Sequence, residues 1–226
     1  MAPTPADQIR LIAFDLDGTL IDDTIYVWQT LHQHFSTDSR RRQQARADYR
    51  AGRISYAQWF ATDLELLAAR GATRARIQAC FAGLRPATGA RQTLAALADR
   101  GYRLGLISGS LDILLDQFFP THPFDWVHIN RLHFAADDTI AGGHPTPYDM
   151  AGKADGLAAM AREAGLPLAR CAFIGDNVND LDVMRAAGLA IAVHVKHPDV
   201  ARSADVVIES TDLRALLPLF PGPQKP

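Results

Sequence analysis

Cysteine is nearly missing from this sequence: Cys80 and Cys171 are the two thiols among 226 residues. Two isolated cysteines make no disulfide framework, so both are expected to serve as small buried apolar residues in a reducing compartment. Long apolar runs are missing as well. None approaches the roughly 20 residues that cross a bilayer, so no membrane partner is expected. The opening residues Met1-Ala2-Pro3-Thr4-Pro5 lack the basic and apolar segments of a secretory signal, and a cytoplasmic location is the expectation. Positive charge is not in excess: the formal net charge of −2 argues against a general nucleic-acid binder. Nor are the histidines grouped. His32 and His34 fall on different faces of an expected helix and the other six are scattered, which predicts no histidine metal site.

What remains is an ordinary globular mixture, 48% apolar and 21% charged, long enough to bury a sizeable core. Helix and strand patterns alternate along most of it. Strands are expected at 11–14, 103–107, 171–174, 189–193 and 205–209. Helices are expected from Thr88-Gly89 to Gly101 and at 111–119, 151–164, 179–187 and 212–220, with Gly101, Gly165 and Gly188 as terminators. Apolar strands separated by amphipathic helices imply parallel βαβ units. The predicted fold is therefore α/β, a three-layer α/β/α doubly wound parallel sheet. Residues 124–142, around Asp137-Asp138, read as a β-hairpin or flap projecting from that sheet. The tail after Pro221 is Pro-rich and expected to fray.

Residues 22–87 break the alternation. They show no strand run and four expected helices, at 25–35, 38–51, 55–70 and 73–84. Ten arginines against six acids give this segment a charge of +4 and leave −6 elsewhere. An inserted all-helical cap over 22–87, on a core made of 1–21 and 88–226, is the expected organisation. Arg40-Arg41-Arg42 reads most simply as a solvated helix face, although a basic lid would also steer an anionic substrate.

Four stretches carry chemistry, each expected at the carboxyl end of a strand, where open α/β sheets bind ligands. Asp15 and Asp17 follow Leu11-Ile12-Ala13-Phe14, and their i, i+2 spacing in an extended chain points both carboxylates one way before the Gly18-Thr19 break. Asp22 and Asp23 are expected to end that strand or cap the first cap helix, with Asp23 also able to face the site. Ser108-Gly109-Ser110 comes between a strand and a helix, where a hydroxyl and free N–H groups suit an anion. Lys153 sits at a helix start, where the helix dipole disfavours a cation unless it serves an anion. Asp176 and Asp180 flank a turn in Gly175-Asp176-Asn177-Val178-Asn179-Asp180 and offer hard oxygen ligands for Mg²⁺ with waters and a phosphate. Each is explicable alone as turn chemistry; their joint occurrence in this order is not.

These stretches resemble the motifs of the haloacid dehalogenase-like (HAD) superfamily. Asp15-Leu16-Asp17-Gly18-Thr19 is similar to the first motif, Ser108 to the second, Lys153 to the third, and Gly175-Asp176 with Asn179-Asp180 to the fourth. The resemblance covers nearly the whole chain. Ala87-Thr88-Gly89-Ala90, the run from Gly101 to Gly109, and Asn130-Arg131-Leu132-His133-Phe134 are similar to the phosphoserine phosphatase-like branch, and the helical insertion looks like a C1-type cap. The resemblance implies a Mg²⁺-dependent phosphoric monoester hydrolase acting on a small phosphorylated metabolite. In that scheme Asp15 is the nucleophile that forms an aspartyl-phosphate, and Asp17 is the general acid and then the base. Asp15, the Asp17 carbonyl and Asp176 hold Mg²⁺. Ser108, Gly109, Lys153 and Thr19 meet the phosphate oxygens. Asp180 orients Lys153 or a metal-bound water, and Asn179 supports the loop. A phosphotransferase or mutase, or a catalytically silent phosphometabolite-binding protein, are the alternatives. A monomer or a homodimer is expected.

Two positions depart from the resemblance. Thr24 stands where phosphoserine phosphatases carry a glutamate for the substrate ammonium, and Asp63 where they carry an arginine for its carboxylate, with Arg50 or Arg53 as alternative partners. An amino-acid head group would then lose both partners, at a cost of several kcal/mol for unpaired buried charges. The cap aromatics Tyr26, Trp28, Tyr56, Trp59 and Phe60 read as helix packing, with some of them lining a less polar leaving-group pocket.

Overall fold

The computed structural model describes residues 8–22, 24 and 26–222. The N-terminal pentapeptide, Asp23, the expected helix start at Ile25 and the end of the tail lie outside the described residues. In chain order the elements are β1 (Leu11–Phe14), β2 (Ile21–Asp22), α1 (Val27–His34), α2 (Ser39–Arg50), α3 (Tyr56–Ala68), α4 (Arg74–Cys80), β3 (Arg85–Pro86), α5 (Ala90–Asp99), β4 (Arg103–Leu111) and α6 (Asp112–Phe118). They continue with β5 (Trp126–Phe134), β6 (Ile140–His144), α7 (Lys153–Glu163), β7 (Cys171–Gly175), α8 (Leu181–Ala186), β8 (Leu189–Val193), α9 (Pro198–Ser203) and β9 (Val206–Ile208).

Seven strands form one sheet in the order β6-β5-β4-β1-β7-β8-β9, parallel except for the β6 edge. Strand β1 is central, and its side chains alternate between two apolar clusters. Ile12 and Phe14 pack with Leu94, Leu97 and Leu114 from α5 and α6, whereas Leu11 and Ala13 pack with Leu157, Met160 and Val183 from α7 and α8. This is the period-two alternation of a strand covered on both faces. It produces the expected three layers.

Register decides where the ends of the strands meet. Phe14 of β1 is level with Leu106 of β4 and Ile174 of β7. The residues that follow each of these therefore emerge together at one edge of the sheet. The Asp15 N–H still donates to the Ile174 carbonyl at 3.0 Å, so the sheet holds the first of them in place.

Helices α1 to α4 lie between β2 and β3, which pair antiparallel as a two-stranded ribbon (Ile21 with Pro86, Asp22 with Arg85). Local signals explain three of the helix starts. Asp38 caps α2 through the amides of Arg40 and Arg41, Ser55 and Gln58 form a capping box on α3, and Thr73 caps α4. The apolar faces of these helices are not a core of their own. Val27, Leu31, Phe60, Leu67, Ile77 and Phe81 belong to the same cluster as Ile12 and Phe14.

Two expectations are corrected. Strand β4 does not end at Ile107 but runs to Leu111 with an irregular register against β5, so Ser108 and Gly109 are extended and α6 starts only at Asp112. The hairpin expected over 124–142 exists as β5 and β6: Trp126–Asn130 pair parallel with β4, and beyond them Arg131–Phe134 pair with β6 alone. The helices expected at 179–187 and 212–220 are shorter or tighter, since Val178–Asp180 and Leu213–Leu219 are 3₁₀ turns.

Because the helices of residues 27–80 and the sheet share one cluster, Phe81→Ala, at a fully buried position, is expected to cost about 3–5 kcal/mol. Urea unfolding of this variant should remain a single cooperative transition. Two resolved transitions would show that the helices and the sheet are separate cores.

Candidate active site

Four carboxylates and one ammonium converge at that edge of the sheet. Lys153, the first residue of α7, is 1% exposed, and its Nζ lies 2.9 Å from Asp15 Oδ2 and 2.7 Å from Asp180 Oδ1. Burial alone would pull the ammonium toward neutrality, but Asp15 and Asp180 outweigh it and its pKa is raised. Asp180 performs a second task. Its Oδ2 accepts from the amides of Asp176 and Asn177 at 3.0 and 3.2 Å, which shapes the turn after β7. Burial, then Asp15, push Asp180 up to about 6 against the pull of Lys153.

Asp17 faces a different set of partners. Its Oδ2 accepts from the Val27 amide at 2.6 Å and its Oδ1 from the Ser110 hydroxyl at 2.7 Å. Val27 opens α1, whose N-cap residue Tyr26 offers no side-chain cap, so the Asp17 carboxylate caps that helix from the other side of the chain. Burial raises the Asp17 carboxyl to about 7, despite the Val27 and Ser110 hydrogen bonds that favour its charged form. Asp15 is simpler, with Oδ1 accepting from the Leu16 amide at 2.7 Å.

Asp176 is fully buried. Its Oδ1 accepts from the Thr19 hydroxyl at 3.0 Å, while its Oδ2 has no hydrogen-bond partner among the described residues. Gly18 makes this approach possible: its φ is +78°, and a Cβ there would stand 2.3 Å from Asp176 Oδ2. Burial, then Asp180 and Asp15, raise the Asp176 carboxyl well above the ordinary carboxylate range. Oxygen atoms of Asp15, Asp176 and Asp180 lie within 4.8 Å of one another. An unpartnered buried carboxylate oxygen beside two further hard oxygen donors fits a small divalent cation.

The chain matches the haloacid dehalogenase-like hydrolase family over residues 9–188. It is a haloacid dehalogenase-like hydrolase. Among its relatives, a phosphoserine phosphatase of Methanocaldococcus jannaschii is 26% identical, the match covering 92% of this chain and 96% of that one. One from Halobacterium salinarum is 30% identical over 90% of this chain and 94% of the other. One from Streptomyces coelicolor is also 30% identical, but the chain spans about half of its length. A crystal structure of a phosphoserine phosphatase in apo form shares the fold, with a TM-score of 0.72 at 24% identity over 93% of this chain and 98% of that one.

Within this hydrolase the expected site residues are placed as follows. Asp15, Asp17, Ser108, Gly109 and Asn179 line a cavity of about 850 Å³, with Lys153 and Asp176 buried directly behind Asp15. Thr19 was expected to meet phosphate, but it is fully buried and its hydroxyl is given to Asp176. The Asp17 side chain is outside the acidic group that suits a cation, which leaves only its backbone carbonyl for the ligand role; the third carboxylate there is Asp180. Asp63, in the place expected for arginine, is buried on the cavity wall, 3.1 Å from His32 Nε2 and 3.8 Å from Arg42 Nε. Arg42 is therefore no freely solvated residue. Thr24 is buried beside Thr30, 3.5 Å between hydroxyls, and does not itself line the cavity.

Several participants escaped the sequence reading. The Gly109 carbonyl accepts from Trp28 Nε1 at 2.8 Å and from Asn130 Nδ2 at 2.7 Å, which fixes the Ser108-Gly109 segment from two directions. Asp149 lies against Gly109, so closely that a Cβ there would come 2.1 Å from its Oδ2, and it accepts from Tyr56 OH at 2.7 Å. Ser110 had a usable signal, its i, i+2 spacing from Ser108 in an extended strand. Asn130 stood in a stretch noted only for its family likeness, and the β4–β5 pairing brings it near; Asp149, between β6 and α7, had no signal.

Three carboxyls, Asp17, Asp176 and Asp180, are held above the ordinary carboxylate range. Between about pH 4 and about 7 the folded chain keeps protons that the unfolded chain has released, so stability is greatest at the acid end of that window and falls as pH rises. The urea midpoint of chelator-treated protein is expected to drop between about pH 5 and 8, and Asp176→Asn should flatten the drop. A midpoint that climbs over this range would contradict the assignment.

Proposed function

We propose that this hydrolase is a phosphatase that cleaves small phosphate monoesters through an aspartyl-phosphate on Asp15. The observation that carries the reading is the pairing of Asp15, held by Lys153 at 2.9 Å, with Asp17, a buried carboxyl near pKa 7, on the wall of one cavity. A carboxyl that exchanges its proton near neutrality is suited to act as acid and then base. The names of the relatives, phosphoserine phosphatases, support the same chemistry.

In the first step an Asp15 carboxylate oxygen attacks phosphorus and the bond from phosphorus to the ester oxygen breaks. The leaving oxygen takes the proton of Asp17. In the second step the Asp17 carboxylate accepts a proton from a water that attacks the aspartyl-phosphate, which releases inorganic phosphate and restores Asp15. Lys153 Nζ, the Ser108 hydroxyl and the Gly109 N–H supply positive charge and donors for the equatorial oxygens. Asp15, the Asp17 carbonyl and Asp176 would hold Mg²⁺, which when bound offsets the repulsion between an anionic nucleophile and a phosphate. Asp180 is a positioning residue, fixing both Lys153 and the Asp176 turn. The helices of residues 22–87 act as a cap over the core of 1–21 and 88–226 and close the leaving-group side of the cavity. Two free cysteines are consistent with a reducing, cytoplasmic setting.

Phosphoserine itself fits the cavity poorly. Thr24 is off the wall, and Asp63 presents a carboxylate, already paired with His32 and Arg42, where a substrate carboxylate would need a cation. A substrate with a larger leaving group suits the aromatic wall made by Trp28, Tyr56, Trp59 and Phe60.

Phosphate release from p-nitrophenyl phosphate is expected to require Mg²⁺ and to fall by roughly a thousandfold or more in Asp15→Asn, the scale on which loss of a covalent nucleophile is felt. Acid-quenched wild type should carry labelled phosphate on Asp15. Equal activity in wild type and Asp15→Asn would end the aspartyl-phosphate reading.

A further inference from the structure

One wall of the cavity takes no part in the phosphoryl chemistry. Helix α2 carries Arg42, Arg46 and Arg50 at i, i+4 and i+8, one face of a helix, and all three line the cavity. At 1.5 Å per residue the stripe is about 12 Å long. Neighbouring arginines already have carboxylate partners: Arg41 with Glu65, Arg53 with Asp48, and Arg42 with Asp63 at 3.8 Å. Among the described residues no carboxylate comes within ion-pair distance of Arg46 or Arg50.

Such a stripe is costly to the helix, since like charges at i, i+4 repel. The repulsion registers on Arg42, whose guanidinium is held below its ordinary range by burial and by Arg46, against the pull of Asp63. Cations gathered along one wall make that wall locally attractive to an anion. Beside them is a surface for a flat apolar body. Tyr49 stands between Arg46 and Arg50 in sequence, its ring 5.1 Å from that of Trp59, and the Trp59 indole N–H is buried with no hydrogen-bond partner among the described residues. Both rings line the same cavity as Asp15.

We infer that Arg46 and Arg50 form an anion subsite for the leaving group, so that the substrate is a phosphate monoester whose leaving group combines a ring-sized apolar body with a second anionic group. This rests on the phosphatase reading of the same cavity. Planar guanidinium forks match carboxylate and phosphate oxygens alike. A leaving group of this kind agrees with the threonine at position 24 and the aspartate at position 63, where partners for a serine head group were expected.

The test is calorimetric binding to Asp15→Asn, which retains ligand without turnover. The probes are 4-carboxyphenyl phosphate, 1,4-phenylene bisphosphate and the neutral isostere 4-carbamoylphenyl phosphate. At least one anionic probe is expected to bind about tenfold tighter than the carbamoyl compound. The preference should collapse toward unity with Arg46→Gln and Arg50→Gln combined, and persist with Arg46→Lys and Arg50→Lys combined. A preference near unity with the native stripe, or one that survives the double glutamine variant, overturns the subsite. Wild-type phosphate release measured in parallel separates the two readings. Preference without release would sink the phosphatase reading alone, and release without preference would sink the subsite alone.

Discussion

The Lys153 ammonium, wedged between Asp15 and Asp180, is the contact on which the rest of the site depends. Four buried carboxylates in one place would repel each other strongly, and one cation cannot neutralise them all. The molecule resolves this in three ways. Lys153 pairs with two of the carboxylates, burial raises the proton affinity of Asp17 and Asp176, and an Asp176 oxygen without a hydrogen-bond partner among the described residues remains for a divalent cation. Structure and reactivity thus have one electrostatic origin. The crowding that costs stability is also what brings a carboxyl with a pKa near neutrality, Asp17, close to the Asp15–Lys153 pair.

Helices α1 and α3 are tied to this centre by more than apolar packing. The first amide of α1 donates to Asp17, Trp28 donates to Gly109, and Tyr56 donates to Asp149. Each of these bonds joins one of the two helices to a segment that lies at the edge of the sheet. The proton affinity of Asp17 therefore depends on where α1 sits, because withdrawal of the Val27 amide removes a hydrogen bond that favours the charged form. Movement of α1 and the readiness of Asp17 to give up its proton are coupled through that single bond.

Kinship and cavity give different information about the substrate. The related phosphoserine phosphatase of known structure shares the fold, and the chemistry of a phosphoryl group imposes the same demands whatever the leaving group. The far wall is under no such demand. There Asp63 Oδ1 lies 3.1 Å from His32 Nε2, and Arg42, Arg46 and Arg50 of α2 line the cavity. Phosphoryl transfer constrains the reacting end, while substrate choice rests on differential contacts made by side chains elsewhere.

From the residues alone, the alternation of strands and helices, the helical insertion and the grouping of Asp15, Asp17, Ser108, Lys153 and Asp176 were legible. These rest on local patterns: apolar strand runs, period-two spacing of the first two acids, and glycine stops behind helices. Tertiary structure decided what depends on neighbours distant in sequence. Pairing with β5 carried β4 through Ser108 and Gly109, where a turn and a helix start had been expected. The sheet edge brought Asp176 close enough to claim the Thr19 hydroxyl that phosphate was to have received. The inward face of α2 drew Arg42 into the cavity wall and left Arg40 and Arg41 exposed as expected. The reason is the same in each case. A residue's chemistry is written in its side chain, but its partners are set by strand register and by which helix face is buried, and those emerge only when the whole core packs.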